Sequence, residues 1–142
     1  MPIEPTLQHR IGPKSSFIFL VFMTLFGTIR SLIHMLAPDS GAQTIAGIAL
    51  EGISGQNLIA IIGQWGASQL VMALFGWAII LRYRSLTTFA LGMQLIELSL
   101  RFGIGQFKPL SVMTPPPGAI STWVLLPITL FFWLWSFRRT ER

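Results

Sequence analysis

LIAIIGQWGASQLVMALFGWAIILRYRSLTTFALGMQLIELSLRFGIG, residues 58 to 105, holds two long apolar runs joined by a short basic turn. The first, Leu58 to Leu81, carries no charged side chain, and the second runs from Leu86 to about Gly105. A helix rises about 1.5 Å per residue and needs about 20 apolar residues to cross the hydrocarbon of a bilayer, so each run is long enough to span. Only Arg82-Tyr83-Arg84 and Ser85 separate them, which predicts an antiparallel helical hairpin.

Two further apolar runs flank this pair. Ser16 to Leu36 precedes it, and Ala119 to Phe137, the most apolar of the four, follows. The spans expected are therefore 16–36, 58–81, 86–105 and 119–137, in one membrane domain covering residues 1–142. Composition agrees: 52% of the residues are hydrophobic and 11% charged, roughly half the charge of a soluble domain. So few charges cannot clothe a water-soluble surface. The first run reads as a retained helix rather than a cleaved leader, because it contains Arg30 and lacks a small-x-small site before Pro38.

Lys and Arg flanking a span stay on the cytoplasmic side during insertion. Arg10, Lys14, Arg82, Arg84, Arg138, Arg139 and Arg142 all fall on one side of the expected topology, and Lys108 alone falls on the other. The expectation is an all-α, four-transmembrane-helix antiparallel bundle, N-in/C-in, with outer loops 37–57 and 106–118. Trp123 at the outer end of the last span, and Trp133 and Trp135 near its inner end, fit interfacial belts. In the first outer loop, Gly41, Gly47, Gly52 and Gly55, with Gly63 just beyond, argue against a stable helix. A short hairpin or a lid lying in the interface is expected there, with an ordered connector as the plainer alternative.

Chemistry should be sought among polar groups that hydrocarbon ought to exclude, since an ionised side chain there costs several kcal/mol unless paired or hydrated. Gly27, Arg30 and His34 share one face of the first span by their spacing of three and four, and Gln94, Glu97 and Arg101 share one face of the third. Counted from the outer ends of their spans, Arg30 and Glu97 each lie roughly 10 Å deep, with Gln64 in the same layer. The expected site is an intramembrane cluster of Arg30, His34, Gln64, Gln94, Glu97 and Arg101. At its centre stands an Arg30–Glu97 pair assisted by Gln64 or Gln94, with Arg101 also reaching Glu97 along its own helix. Such a cluster either fixes helix register or floors an outward pocket for an anion.

Other chemistries find no purchase. The chain has no cysteine, which excludes disulfides, thiolate nucleophiles and Cys-ligated metals. With His9 outside the spans, His34 is the one intramembrane histidine, too few for bis-histidine haem, and no His-x-x-Glu or His-x-x-x-His spacing suggests a metal. No serine or second histidine is placed to complete a nucleophilic system with His34. Neither cofactor nor metal is expected, and no catalytic residue. The net charge of +5 sits beside hydrophobic spans, where anionic lipid is the usual counterpart and nucleic acid is not. Gly66, Gln69, Ala73 and Gly76 make a seam of small residues in the second span that permits close helix approach, and Pro127 reads as a tolerated kink.

The succession HMLAPDSGAQTIAGI, IIGQWGASQLVMALFGW, RYRSL and LIELSLRFGIGQFKPL resembles small four-helix bacterial inner-membrane proteins of the DoxX-like type. That resemblance covers residues 16 to about 137 in topology. It implies a bacterial inner membrane and brings no catalytic residues. The functional expectation is an integral accessory or interaction protein, in contact with the bilayer and with a membrane-protein partner or its own copies. The alternative is a binder or transporter of a small amphiphile or anion (lipid, quinone or free anion) through an outward-facing polar pocket.

Overall fold

The structure, a computed structural model, describes residues 12–138. Within them all regular structure is helical: α1 (Lys14–Leu36), α2 (Gly52–Arg82), α3 (Thr87–Phe107) and α4 (Pro117–Ser136), with a single 3-10 turn, Arg84–Leu86, between α2 and α3. α1, α2 and α4 are long and apolar enough to cross a membrane. By the same measure α3 is not, because Gln94, Glu97, Ser99 and Arg101 interrupt its apolar run. Arg10, Arg139 and Arg142, part of the charge count above, lie outside the described residues.

Prolines set several helix limits. Pro13 precedes α1, Pro38 follows it, and Pro117 opens α4, where its missing N–H would have had no intrahelical acceptor. The start of α2 corrects the expected boundary: the helix begins at Gly52 rather than Leu58, so the connector is 37–51 and α2 runs 31 residues, about 46 Å. Gly52 and Gly55 shape the entry to α2 and do not break it. Gly52 adopts a left-handed φ of 55°, and at Gly55 a Cβ would stand 2.9 Å from the Leu50 carbonyl carbon, so glycine lets the incoming chain fold back against the first turn.

Residues 37–46 form a series of turns, not a hairpin. Asp39 organises them, its carboxylate accepting from the backbone N–H of Gly41, Gln43 and Thr44 and from the Thr44 hydroxyl. Those bonds, led by Thr44 and then Gly41, hold the Asp39 carboxyl down at about 2. Ser40 and Gly41 turn with positive φ, and the Ser40 hydroxyl donates to the Ile59 carbonyl on α2. The connector is thereby tied down to the helix ends.

α1 packs along α2 and α3 along α4, while α2 and α3, expected to form a close hairpin, part after their short turn. The α1–α2 contact runs along small residues: a Cβ on Gly66 would meet His34 Cβ at 2.7 Å, and one on Gly76 would meet Thr24 at 2.9 Å. Trp77 Nε1 donates to Thr28 Oγ1 across the same seam at 3.0 Å. The two pairs join at the end that carries Lys14, Arg84 and Arg138, here termed the basic end. There Phe19, Leu20, Met23, Ile80, Ala90 and Leu91, with Leu98 farther along α3, make the core, the Ser16 hydroxyl donates to the Phe132 carbonyl, and Phe19 stacks on Phe132. Toward the opposite end, which carries both long connections, the pairs separate.

Candidate functional site

Where the helix pairs separate they leave a cleft of about 390 Å³, walled by α1, α2 and α3 with Leu125 of α4 behind. That volume lies within the ~300–1,000 Å³ typical of small-molecule sites. Its walls change character along the bundle axis. Near the basic end it is apolar: Met23 and Phe26 from α1, Met72, Phe75 and Ile79 from α2, Phe89 and Met93 from α3. Toward the loop end Arg30, Gln69, Gln94, Glu97 and Arg101 converge.

Within this polar end the pairing differs from the one expected. Glu97 forms its salt bridge with Arg101, four residues on along α3, and not with Arg30. Local geometry decides this: residues at i and i+4 stay within side-chain reach whatever the packing, whereas Arg30 faces Glu97 across a cleft that keeps α1 from α3. Arg30 lies with its guanidinium carbon 5.2 Å from the ring centre of Trp65, and that of Arg101 lies 5.8 Å from the same ring. Two cations thus share one indole, and one of them, Arg101, is also paired with Glu97. This is cation–π contact of the kind that strengthens where water is excluded.

Several polar atoms here are buried without a hydrogen-bond partner among the described residues: Arg30 Nε, Arg101 Nε, Gln69 Oε1, Gln94 Oε1 and, deeper, Thr24 Oγ1. Buried polar groups are ordinarily satisfied, and such a concentration in one cleft marks it as a place where something polar fits.

Gln64 does not join the cluster. It is exposed, and its backbone carbonyl accepts from the Ser68 hydroxyl. At 100° per residue, a helix that turns Gly66, Ala73 and Gly76 toward α1 swings position 64 about 200° from Gly66 and brings Gln69 to the cleft wall. Gln69, read from the sequence as part of a packing seam, is therefore the α2 amide of the site. His34 stands beside the cluster but does not line the cleft: its Nδ1 is 2.8 Å from the Ser40 carbonyl oxygen, and its ring lies 5.2 Å from Trp65. A carbonyl only accepts, so Nδ1 carries the proton and His34 ties the connector to α1.

Trp65 went unnoticed in the sequence, although it lies four residues before Gln69 and so on nearly the same face. The site holds Arg30, Gln94, Glu97 and Arg101 of the expected set, adds Gln69 and Trp65, leaves His34 as a neighbour and excludes Gln64. Comparison with protein-family models, with curated proteins and with solved structures gave no match.

Proposed function

We propose that this protein is a four-span membrane protein, N-in/C-in, that binds a small anionic amphiphile in the cleft between its helix pairs. The single observation that carries the reading is the cleft's gradient, apolar at the basic end and bearing two arginines against one glutamate at the other. A tail on the methionines and phenylalanines and an anionic head on Arg30 and Arg101 would follow it. Charge-assisted hydrogen bonds from guanidinium to an anionic head are the strong kind.

A second asymmetry supports the topology. Lys14, Arg82, Arg84 and Arg138 gather at the basic end and Lys108 stands at the other, which favours a cytoplasmic basic end, with the polar mouth of the cleft opening to the outside of a bacterial inner membrane. In this arrangement α3 is the fourth span, its polar face turned to the cleft, where an ionisable side chain can be tolerated. A purely structural accessory subunit would be served by a closed, fully paired layer; the open cleft and its unpartnered donors favour the binder.

The test is tryptophan quenching by a brominated alkyl sulfonate added to the protein in non-ionic micelles. Trp65 is 42% exposed and reachable. Quenching should fall in Trp65→Phe, and Arg30→Met should weaken binding on the order of tenfold or more. Equal quenching by the brominated alcohol of the same chain length, or unchanged affinity in Arg30→Met, refutes the proposal.

A further inference from the structure

The charges around the cleft's polar end do not balance, and the imbalance has a definite size. α1 contributes Arg30, α3 contributes Glu97 and Arg101, α2 contributes the neutral Gln69, and α4 only Leu125. His34, one turn beyond Arg30 on α1, turns its Nδ1 to the Ser40 carbonyl. Glu97 and Arg101 cancel as an ion pair, which leaves the layer one positive charge in excess, carried by Arg30. A head with one negative charge therefore makes the layer neutral. A head with two leaves one negative charge uncompensated beside apolar walls, and its desolvation cost is larger, since Born solvation grows with the square of the charge.

Resting on the binder reading above, we infer that Glu97 is the specificity-determining residue of this site and restricts its ligands to amphiphiles with a singly charged anionic head, such as a sulfonate, a carboxylate or a phosphodiester. Its carboxylate occupies Arg101 and so holds the site at a single excess charge; it touches the ligand's surroundings and takes no part in a reaction. Doubly charged heads, phosphate monoesters above their second ionisation, meet a carboxylate that repels them and one arginine too few. Gln94 and Gln69 supply neutral polar contacts to either class and do not discriminate by charge.

Decyl phosphate and decanesulfonate separate the alternatives, because the phosphate passes from one charge to two with a pKa near 6, whereas the sulfonate keeps one charge at every working pH. Binding of each to the full-length protein in maltoside micelles is measured by calorimetry at about pH 5 and about pH 8. The sulfonate corrects for titration of the protein itself. For the wild type we expect decyl phosphate to weaken relative to the sulfonate on the order of tenfold between the two pH values. In Glu97→Gln, which has nearly the same shape and raises the excess to two charges, the preference should reverse at the higher pH.

Wild-type protein that binds both ligands with an unchanged ratio overturns the inference and leaves the binder reading intact. Wild-type protein that binds neither overturns both. A Glu97→Gln protein that keeps the wild-type preference, or binds neither ligand, also overturns it, because removing a carboxylate cannot weaken an anion's hold on two arginines by electrostatics. Methanesulfonate, run in parallel, distinguishes a free anion from an amphiphile: equal affinity for it assigns the site to the head alone and removes the tail from the ligand class.

Discussion

Replacing Gly66 by alanine tests the packing that holds the cleft open on one side. A Cβ built there stands 2.7 Å from His34 Cβ and 3.1 Å from the Ser31 carbonyl oxygen, the latter part of α1's backbone. Carbon atoms pack at about 3.5–4.0 Å, so α1 must yield by roughly 1 Å at this level. Gly27 provides the control, a helical glycine of α1 around which nothing lies within 4 Å of a built Cβ. Both substitutions gain about 1 kcal/mol from helix propensity, and only Gly66→Ala bears an overpacking cost of about 1–3 kcal/mol. The expected difference in stability between the two variants is therefore about 1–3 kcal/mol, with Gly27→Ala the more stable. Reversible unfolding in mixed micelles, followed by far-ultraviolet circular dichroism, measures it. Equal stability of the two variants refutes the close α1–α2 approach at Gly66, and with it the register that brings Gln69 and Trp65 to Arg30.

Three further outcomes follow from the hydrogen bonds. Asp39→Ala should speed hydrogen exchange at the amides of Gly41, Gln43 and Thr44 and leave the helices unchanged; unchanged exchange at those amides would count against the carboxylate as organiser of the connector. Because the folded Asp39 carboxyl is held down at about 2, its contribution is complete above the unfolded value near 3.9 and is lost as pH falls through about 2, so wild-type protection of these amides should persist at about pH 4 and fade only below. Thr28→Val removes the acceptor of the Trp77 indole N–H and should cost about 1 kcal/mol, with Thr28→Ser restoring it. Equal stability of the valine and serine variants would show that the bond adds nothing to the α1–α2 seam.

Much of the helical architecture was legible because it depends on local quantities. The runs at 16–36, 58–81, 86–105 and 119–137 lie within or close to the observed helices, and prolines mark several of their limits. The entry to α2 was not legible, since a glycine reads as a helix breaker until the fold shows the chain reversing tightly against Gly55. Legibility of the site divides along the same line. Arg30, Gln94, Glu97 and Arg101 announced themselves as charged or polar groups in apolar runs, and the Glu97–Arg101 spacing already contained their pairing.

The helices, their order and the side chains too polar for hydrocarbon are local properties of the chain, because hydropathy, helical period and proline act within a few residues of where they stand. Which helices touch is set by packing across the bundle. Gly66 and Gly76 let α2 close on α1, and Gly92 lets α3 close on Trp133 of α4, while the larger Met72, Phe75, Phe89 and Met93 line the gap between the pairs. From that one choice follow the cleft, the loss of an Arg30–Glu97 contact, the exchange of Gln64 for Gln69 and the place of Trp65 between two arginines. None of these could be read from spacing along one helix, because the rotation of a helix about its axis and its distance from a neighbour are set by packing across the whole bundle.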